Sequence, residues 1–581
     1  AEQAPRILNV NVGILGHIDS GKTSLAKALS TTLSTAALDK HPQSQERGIT
    51  LDLGFSSFSV PIPEHLKQNP FDVLQFTLVD CPGHASLIKT IIGGAEIIDT
   101  MLLVIDVTKG IQTQTAECLV IGEVTTDDLV VVLNKIDQFP LKTRPAQIEK
   151  VKNRIQKALA PTKFASAPFV PVSAAPSTTD DVTTTDDVTT SGGSQQQPDV
   201  TRLLELLTSR VRIPKRSPEG PFLFSVDHCF PIKGQGTVLT GTVLSGSVHV
   251  NDTIEIPALK IQKKVKSLQM FKRPVKSAMQ GDRVGVCVTQ FDSKLIERGL
   301  ASSPGLVMSI SSAIASVNKI RYFKGEVLSK KTKYHVTVGH VTSMATVMFL
   351  SESPPPLKKE DGTSSVTPIA TPKTEATTTD ALSEPIGALE RLTFKDPSAA
   401  RFDWSKEYHY YDRLYSDATL SQQFALLTFE TPVIAPLGSI LIGSRLDADI
   451  HVNACRLAFS GNLLEAVDPS NEHQALSSLK VFKWKTREGI VDRTVDDYTV
   501  IGRDLFKKET DIQLFVGLKL ERSLGEGVSI GVIESSFGKS GKFKVHFPQG
   551  GQTALAKVPG SQKLVLQFRR YIFDAKKKMV Q

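Results

Sequence analysis

The sequence predicts one doubly wound α/β domain followed by three β-barrel-type domains. In the first ~215 residues, short apolar runs alternate with helix-like stretches, which is the pattern of a parallel sheet covered by helices. After Gly220, short β-rich runs are separated by regular turns that contain Gly, which is typical of small barrels. The length of 581 residues is enough for several domains, since one domain has roughly 100–200 residues.

Changes in composition give the domain boundaries. We place the α/β domain at residues 1–215, two barrels at 216–312 and 313–467, and a basic β-rich domain at 468–581. Residues 174–200 are a low-complexity mixture of Ser, Thr, Asp, Gly and Gln, and residues from about 351 to 421 are rich in Ser, Thr, Pro and charge. Neither segment can bury enough apolar surface to order itself. We therefore predict a flexible loop at 174–200 and a disordered insertion at about 351–421.

The strands of the first domain are predicted from its buried apolar runs. They are Val10–Leu15, Leu74–Val79, Met101–Val107, Leu129–Leu133 and Phe169–Val172. A helix is predicted from about Thr23, and the last helix of the domain at Val200–Val211.

Composition excludes several classes of protein. A hydrophobic share of 40% and a charged share of 22% exclude a wholly disordered or fibrous chain. No run of ~18 uninterrupted apolar residues is present, and the amino-terminal residues lack the pattern of a signal peptide. The five cysteines are odd in number and form no C-x-x-C pair, which argues against a disulfide framework and a thiolate zinc site. These features favour a reducing compartment, the cytoplasm, and leave entry into the nucleus open.

The positive charge is concentrated near the carboxyl end. The net charge of the chain is +8, and residues 471–581 alone hold 20 Lys and Arg against 12 Asp and Glu. From Ser535 onwards there are ten basic residues and one acid, interleaved with Phe543, Phe547, Phe568 and Tyr571. This pattern favours contact with RNA or the ribosome. The alternative is a solvated, solubilising surface.

A phosphate-binding loop is predicted between the first strand and the first helix. Residues Gly16–Thr23 read GHIDSGKT and fit G-x-x-x-x-G-K-[ST] in the required strand–turn–helix context. Lys22 can reach the β and γ phosphates, and the Thr23 hydroxyl can bind Mg²⁺. The loop residues assigned to nucleotide binding are Asp19, Ser20, Gly21, Lys22, Thr23 and Ser24.

Two further segments are predicted to sense the γ-phosphate. Asp80 ends the strand Leu74–Val79, where its carboxylate can hold Mg²⁺, and the Gly83 amide can approach the phosphate closely. His84 follows, where a side chain could position the attacking water. Thr50, in the segment RGIT, can give its hydroxyl to Mg²⁺ only when the γ-phosphate is present, which makes this segment a switch.

The guanine base is predicted to bind after two later strands. The segment NKID supplies Asn134, Lys135 and Asp137, and an Asp here can accept hydrogen bonds from the N1–H and N2–H₂ groups that adenine lacks. Ser173 and Ala174 follow the strand Phe169–Val172, where a backbone N–H can reach guanine O6. In this order the segments predict a GTPase that hydrolyses GTP to GDP and phosphate with Mg²⁺.

These segments resemble the translational GTPases. GHIDSGKT, RGIT, DCPGH and NKID are that family's forms of the general motifs, and the opening of the first barrel resembles the family's second domain. Longer strings resemble the eukaryotic selenocysteine-specific elongation factors. They are ERGITLDLGF at Glu46–Phe55, VDHCF at Val226–Phe230, GSRLDADIH at Gly443–His451, IGR at Ile501–Arg503, LFKKET at Leu505–Thr510 and YIFD at Tyr571–Asp574.

The resemblance implies a GTP-dependent carrier of selenocysteinyl-tRNA that acts on ribosomes at recoded UGA codons. It implies that His84 orients the hydrolytic water and that the ribosome stimulates hydrolysis. It also implies that the fourth domain couples to the selenocysteine insertion element of the messenger, directly or through its binding protein.

The amino-acid cargo suggests a cationic pocket in the second domain. A selenol is mostly an anion at neutral pH, so a cation would favour it over the neutral hydroxyl of serine. We predict that Asp227, His228 and Arg283 line this pocket. The alternative is a structural ion pair together with a core histidine.

Three other functions remain open from the sequence. A general aminoacyl-tRNA carrier would stop after three domains, and an initiator-tRNA carrier would lack the basic fourth domain. A GTP-gated ribosome-binding module without tRNA cargo belongs to a different class.

Overall fold

The computed structural model of the chain describes most residues of all four domains. The described residues are 6–30, 32–33, 53–82, 97–174, 200–271, 273–329, 332–339, 341–355, 401–416, 421–446, 455–467, 472–524, 527–538, 540–548, 563–574 and 579–581. In the first domain the strands are β1 (Ile7–Gly16), β2 (Thr32–Leu33), β3 (Gly54–Pro61), β4 (Val73–Asp80), β5 (Thr100–Asp106), β6 (Asp128–Asn134) and β7 (Phe169–Pro171). Its helices are α1 (Lys22–Leu29), α2 (Thr113–Thr125), α3 (Arg144–Leu159) and α4 (Thr201–Arg210).

The first domain is a doubly wound α/β sheet, as predicted. The strand order is β2-β3-β4-β1-β5-β6-β7, with parallel pairing from β4 to β7. The sequence missed β3, which runs antiparallel to β4 and places Gly54 opposite Asp80. Parallel strands end at the same edge of a sheet, so the loops after β1, β4, β6 and β7 meet there. This edge carries the nucleotide motifs.

Three closed barrels follow, which confirms the predicted fold class. The second domain contains β8 (Leu223–Ile232), β9 (Gly236–Ser245), β10 (Ser247–His249), β11 (Thr253–Ile256), β12 (Ile261–Met270), β13 (Arg273–Val275), β14 (Ser277–Met279), β15 (Arg283–Val288) and β16 (Gly299–Ser302). The third contains β17 (Met308–Lys319), β18 (Lys333–Val338), β19 (Val341–Ser351), β20 (Glu407–Tyr411), β21 (Gln423–Ala435), β22 (Ile440–Ser444) and β23 (Leu457–Val467). The fourth contains α5 (Glu472–Ser478), β24 (Lys480–Thr494), β25 (Thr499–Arg503), β26 (Lys519–Leu524), β27 (Gly527–Phe537), β28 (Lys542–His546), β29 (Lys563–Tyr571) and β30 (Met579–Val580). Pairing of β11 with β12, β18 with β19 and β24 with β29 closes the three barrels.

The predicted insertion is shorter at its carboxyl side than we expected. Residues 401–416 fall inside the predicted disordered segment, but they include β20 and the buried side chains of Phe402, Tyr408 and Tyr411. Phe402 stacks on Tyr408 with 4.7 Å between ring centroids. The polar composition of the segment hid these aromatic residues, which complete the core of the third domain. Residues 175–199 and 356–400 lie outside the described part of the chain.

The third domain packs against both of its neighbours. Ile320, Ile442 and Leu457 join an apolar cluster of the first domain. On the other side, β20 pairs in parallel with the start of β24, which joins the sheets of the third and fourth domains. Within the described ranges, none of the helices combines the length and apolar character needed to cross a bilayer.

Candidate GTP site and aminoacyl pocket

The phosphate loop runs from the end of β1 to the first turn of α1. Asp19 and Gly21 have left-handed backbones, with φ of 59° and 88°. A Cβ at residue 21 would lie 2.2 Å from the Asn134 side-chain nitrogen, so only Gly fits there. Ser20 is buried at the base of the loop, and Thr23 and Ser24 lie in the first turn of α1. The loop therefore has the tight turn that a phosphate cradle needs.

Lys22 is held inside the loop. Its side chain is 6% exposed, and Nζ donates a hydrogen bond to the His17 carbonyl oxygen at 2.8 Å. Burial lowers the pKa of Lys22, while the Asp80 carboxylate opposes this shift. A buried ammonium gains most from an anionic partner, because little solvent screens the interaction. Lys22 is thus prepared for phosphate.

The two predicted magnesium ligands on described residues meet at the sheet edge. The Thr23 hydroxyl donates a hydrogen bond to Asp80 Oδ2 at 2.7 Å, and Asp80 is fully buried. Oxygen donors of this kind suit Mg²⁺, which usually takes one or two protein ligands and completes its shell with phosphate and water. Among the described residues no group of three or more His, Cys, Asp and Glu could hold a metal by itself. The donor set fits a metal that is shared with the nucleotide.

The base-binding segments are linked to the phosphate loop. Asn134 donates from Nδ2 to the Ser20 carbonyl oxygen at 2.9 Å and accepts from the Ala174 N–H at 3.1 Å. Ser173 donates to Asp137 Oδ1 at 2.7 Å, which fixes the carboxylate predicted to recognise guanine. The Ala174 N–H, predicted to face guanine O6, here serves Asn134, so that contact stays a prediction.

Lys135 is fixed by an ion pair. Its backbone has a φ of 67°, and Nζ lies 2.9 Å from Asp106 Oδ2. Burial by itself would raise the pKa of Asp106, but hydrogen bonds from Thr108 and Lys135 outweigh this effect and lower the pKa. This carboxylate therefore stays charged and holds Lys135 beside the base loop.

Three predicted site residues, Thr50, Gly83 and His84, lie outside the described residues. Their assigned functions remain predictions from the sequence. The segment that contains Thr50 leads into β3, whose Gly54 is paired with Asp80.

The structure brings two of the three predicted pocket residues together. Asp227 lies at a bulge of β8, and Arg283 begins β15. Arg283 Nη1 donates to Asp227 Oδ2 at 2.5 Å, and the two side chains are 4% and 3% exposed. His228, next along β8, is half-buried and registers with Thr240. In this conformation the ion pair is closed to a ligand, as in the alternative that the sequence left open.

A residue of the first domain covers the pocket, which the sequence reasoning missed. The Arg283 guanidinium carbon lies 3.1 Å from the centroid of the Phe55 ring, and Phe55 is fully buried. Phe55 is the last residue of the string ERGITLDLGF, so the only signal was its position just after the switch segment. Phe55, five residues after Thr50 in the sequence, thus lies directly against the predicted pocket.

A polar contact fixes the second domain beside this ring. Asn9 and Asn11 on β1 each donate a side-chain hydrogen bond to the Gly281 carbonyl oxygen, at 2.7 and 2.9 Å. Arg216 Nη2 donates to Asp99 Oδ2 at 2.6 Å on the same side. A Cβ on Gly281 would lie 2.4 Å from the Arg216 guanidinium. The loop before Arg283 is therefore clamped by the first domain.

A buried ion pair joins the first and third domains. Arg456 donates from Nε and Nη2 to the two oxygens of Glu117 on α2, at 3.0 and 2.9 Å. Its backbone N–H also donates to Glu117, at 3.1 Å. Glu117 is 1% exposed and Arg456 is 7% exposed. Sequence patterns gave no signal for this pair, because its members are 339 residues apart.

The phenylalanines of the basic region lie inside the fourth barrel. Phe543, Phe547 and Phe568 are buried in the core of the fourth barrel, not displayed among the cations. Along β28 the buried residues Phe543 and Val545 alternate with Lys542, Lys544 and His546, so the inward positions are apolar and the outward ones are polar or basic. Tyr571 is half-buried and donates a hydrogen bond to Glu407 of the third domain at 2.5 Å. For the three phenylalanines, the interleaving with cations therefore reflects the inside and the outside of a barrel, and contact of this region with RNA or the ribosome stays a prediction.

The cysteines agree with the composition argument. All five are free, and burial raises the pKa of Cys118 and Cys229 to about 11 each. Such thiols are weak nucleophiles and poor metal ligands at neutral pH.

Models of protein families match all four domains. Residues 8–212 match the elongation factor Tu GTP binding domain, and residues 236–300 match elongation factor Tu domain 2. Residues 314–461 match the third domain of the eukaryotic selenocysteine-specific elongation factor, and residues 477–563 match the eEFSec C-terminal RIFT domain.

Relatives and solved structures give the same grouping. The chain is 50% identical over 609 aligned residues to the selenocysteine-specific elongation factor of Mus musculus, which covers 100% of both chains. It is 37% identical to the factor of that name from Methanocaldococcus jannaschii, over 58% of this chain and 66% of the relative. Its fold is similar to the crystal structure of translation elongation factor SelB from Methanococcus maripaludis with the GTP analogue GppNHp, with a TM-score of 0.66, 24% identity and coverage of 98% and 100%. The chain belongs to the selenocysteine-specific elongation factors, and its first domain is a translational GTPase domain.

Proposed function

We propose that this GTPase carries selenocysteinyl-tRNA to the ribosome at recoded UGA codons and hydrolyses GTP when decoding succeeds. The observation that carries the proposal is the buried Asp227–Arg283 pair, placed against Phe55 at the boundary with the nucleotide-binding domain. A guanidinium carries a positive charge and five N–H donors in a planar fork, which suits an anionic selenolate. We assign His228 to the same pocket because it is next to Asp227 in β8.

The nucleotide site supports the hydrolysis step. Lys22 neutralises charge on the β and γ phosphates, and the backbone amides of Asp19–Thr23 cradle their oxygens. Thr23 and Asp80, with Thr50 in the GTP state, would hold Mg²⁺. When bound, Mg²⁺ neutralises charge that develops between the β and γ phosphates. His84 orients the attacking water, and the ribosome completes the site.

Specificity for guanine comes from the base loop. Asp137 accepts two hydrogen bonds from the base, and Ser173 keeps its carboxylate in place. Asn134 connects this loop to the phosphate loop through Ser20. Base recognition is therefore rigidly coupled to phosphate binding.

The order of events follows from the closed pocket. Arg283 is buried behind Phe55, so the cargo can reach it only after the first and second domains shift or Phe55 withdraws. GTP orders the switch segment that leads into β3 and moves Phe55 from the guanidinium. Hydrolysis restores the closed pair and releases the tRNA. The basic fourth domain couples this cycle to the selenocysteine insertion element, directly or through its binding protein, and the chain acts in the cytoplasm.

The direct test compares the binding of selenocysteinyl-, cysteinyl- and seryl-tRNA to the full chain, with a non-hydrolysable GTP analogue and with GDP. We expect selenocysteinyl-tRNA to bind tightly with the GTP analogue and weakly with GDP. Cysteinyl- and seryl-tRNA should bind weakly with either nucleotide. The conservative variant Arg283→Lys keeps a cation and should retain part of the preference, whereas Arg283→Gln should lose it. Equal affinity for the three tRNAs would point to a general carrier, and no affinity for any of them to a module without tRNA cargo.

A further inference from the structure

Four cations lie on one face of the β24–β29 strand pair, at the seam between the third and fourth domains. We call Lys483, Lys485, Arg487 and Arg570 the seam cluster. The first three occupy alternate positions of β24 and therefore share a face. Lys483 is paired with Arg570 across the ladder, where opposite Cβ atoms are about 5 Å apart. The register thus concentrates like charges.

Aromatic rings support the innermost member of the seam cluster. The guanidinium carbon of Arg487 lies 4.8 Å from the centroid of Phe515, 5.5 Å from Phe506 and 5.7 Å from Phe568. All three rings are buried. Contact with the ring faces stabilises the cation and restricts the rotamers of its side chain. Arg487 is half-buried, so its planar donors are held in place at the surface.

Three members of the seam cluster are not neutralised within the described part of the chain. No carboxylate there forms an ion pair or a hydrogen bond with Lys485, Arg487 or Arg570. Burial, and then the charge of Arg570, lower the pKa of Arg487. Two other cations of this domain, by contrast, each form an ion pair with a carboxylate. Arg569 lies 2.7 Å from Glu407, and Lys542 lies 2.9 Å from Asp492.

The seam cluster also reaches the third domain. Lys483 Nζ lies 3.4 Å from the centroid of the Tyr410 ring, and Tyr410 belongs to β20. The cations therefore lie where the two domains meet, on strands that pair with each other. A ligand bound here would touch the junction and not the free end of the fourth domain.

We propose that the seam cluster binds the phosphate backbone of RNA. The inference rests on the proposed function only in that the chain works on RNA. Phosphate matches the arginine fork, and the positive charges of Lys485, Arg487 and Arg570 gain from a polyanion that releases counterions when it binds. An acidic protein fits less well, because protein interfaces are built around apolar anchors. The exposed aromatic residue of this strand, Trp484, points to the opposite face. The phenyl rings lie beneath Arg487, so the contact is with phosphate and is independent of base sequence.

The test uses the full chain and a labelled single-stranded RNA of about 20 nucleotides, whose binding is followed by fluorescence anisotropy at roughly 50 to 200 mM salt. The variant Lys485→Ala/Arg570→Ala removes two exposed cations. The matched control Lys519→Ala/Lys563→Ala removes the same charge from exposed positions outside the seam cluster. We expect the first variant to bind roughly tenfold more weakly at low salt, and its slope of log affinity against log salt to fall by about 1.5. The control should change affinity less than about twofold.

Two results would overturn the proposal. The first is equal RNA affinity and an unchanged salt slope in the seam variant. The second is displacement of the RNA by polyglutamate as readily as by unlabelled RNA, which would assign the site to an acidic protein. Thermal unfolding of both variants checks that they fold like the parent. The binding of selenocysteinyl-tRNA with the GTP analogue, measured on the same parent preparation, shows separately whether the proposed function itself fails.

Discussion

The guanidinium of Arg283 stacks on the ring of Phe55, with 3.1 Å between the guanidinium carbon and the ring centroid. Arg283 belongs to the second domain, and Phe55 belongs to the strand that follows the nucleotide switch. Phe55 is paired with Val79, the residue before the predicted magnesium ligand Asp80. A displacement of this strand when GTP binds would thus move the Phe55 ring relative to the Arg283 guanidinium.

Replacement of Phe55 should weaken the coupling between nucleotide and cargo. With Phe55→Ala the guanidinium loses its cover, so the pocket opens in the GDP state as well. We expect the ratio of selenocysteinyl-tRNA affinities with GTP analogue and GDP to fall by about tenfold, or ~1.4 kcal/mol. Because GTP no longer has to break this contact, the GTP analogue should bind the variant more tightly than the parent, while GDP affinity should be unchanged. Phe55→Leu is the control for lost packing. If it lowers the ratio as much as Ala does, the ring has no specific function in gating.

Asp137 should determine the choice of base. Asn at this position has the size of Asp but can donate a hydrogen bond, which suits the carbonyl that xanthine carries where guanine has an amino group. We expect Asp137→Asn to lose at least about a hundredfold in GTP affinity, as a site loses when buried polar groups are left unpaired, and to gain affinity for xanthosine triphosphate. Competition of the two nucleotides against a fluorescent analogue measures both changes. Equal loss for both nucleotides would mean that Asp137 is structural.

The Glu117–Arg456 pair should stabilise the junction of the first and third domains. Glu117→Gln removes the carboxylate that faces the buried Arg456 cation, and breaking a buried ion pair in this way costs about 3–5 kcal/mol. A lower midpoint of thermal unfolding should show this. The double variant Glu117→Leu/Arg456→Met removes both charges and should recover most of the loss. If the single variant is as stable as the parent, the ion pair contributes little to domain docking.

Asp282 should give the domain contact a pH dependence. Burial raises the pKa of Asp282 to about 6, and a backbone N–H from Met279 and the Arg216 charge oppose this shift only in part. Between about pH 4 and 6 the folded chain retains a proton that the unfolded chain releases, so stability falls as the pH rises through this window. Asp282→Asn keeps the hydrogen-bond acceptor and removes the titration.

The comparison of unfolding midpoints between pH 4.5 and 7.5 tests this directly, at about 0.1 M salt. The parent should lose stability relative to Asp282→Asn as the pH rises. Burial also raises the pKa of Asp99. Asp99 is present in both proteins, so its contribution to the pH dependence cancels when the two unfolding midpoints are subtracted. A difference between the two proteins that does not vary with pH would contradict the assignment to Asp282.

The sequence predicts local chemistry well and domain contacts poorly. The phosphate loop, Asp80 and the base loop follow strands whose apolar runs are unmistakable, so their meeting at one sheet edge could be derived. Asp227 and Arg283 were predicted to line a pocket with His228, and their observed contact also fits the structural ion pair that the sequence left open. Phe55, Glu117 and Arg456 were not predicted, since each acts across a domain boundary that composition does not reveal.

In the third and fourth domains too, the sequence predicts local patterns better than it predicts which side chains fill the core. Alternation of Lys with Phe and Val in β28 fits a barrel strand, but a count of residue types does not show that its phenylalanine faces the core. Tyr408 and Tyr411 lie in a segment that is polar on average, and only the fold shows that they fill the core of the third domain. Average composition is therefore a poor guide where a few aromatic residues determine the packing.

In the proposed pocket, Arg283 recognises the negative charge of the cargo. Cysteinyl-tRNA is the sharpest probe of this recognition, because a thiol with a pKa near 8.5 becomes an anion within an accessible pH range. Its affinity for the chain with a non-hydrolysable GTP analogue should rise roughly tenfold between about pH 7 and 9, as the thiolate fraction rises, while that of seryl-tRNA stays constant. A constant affinity for cysteinyl-tRNA over this range would contradict recognition of the cargo by charge.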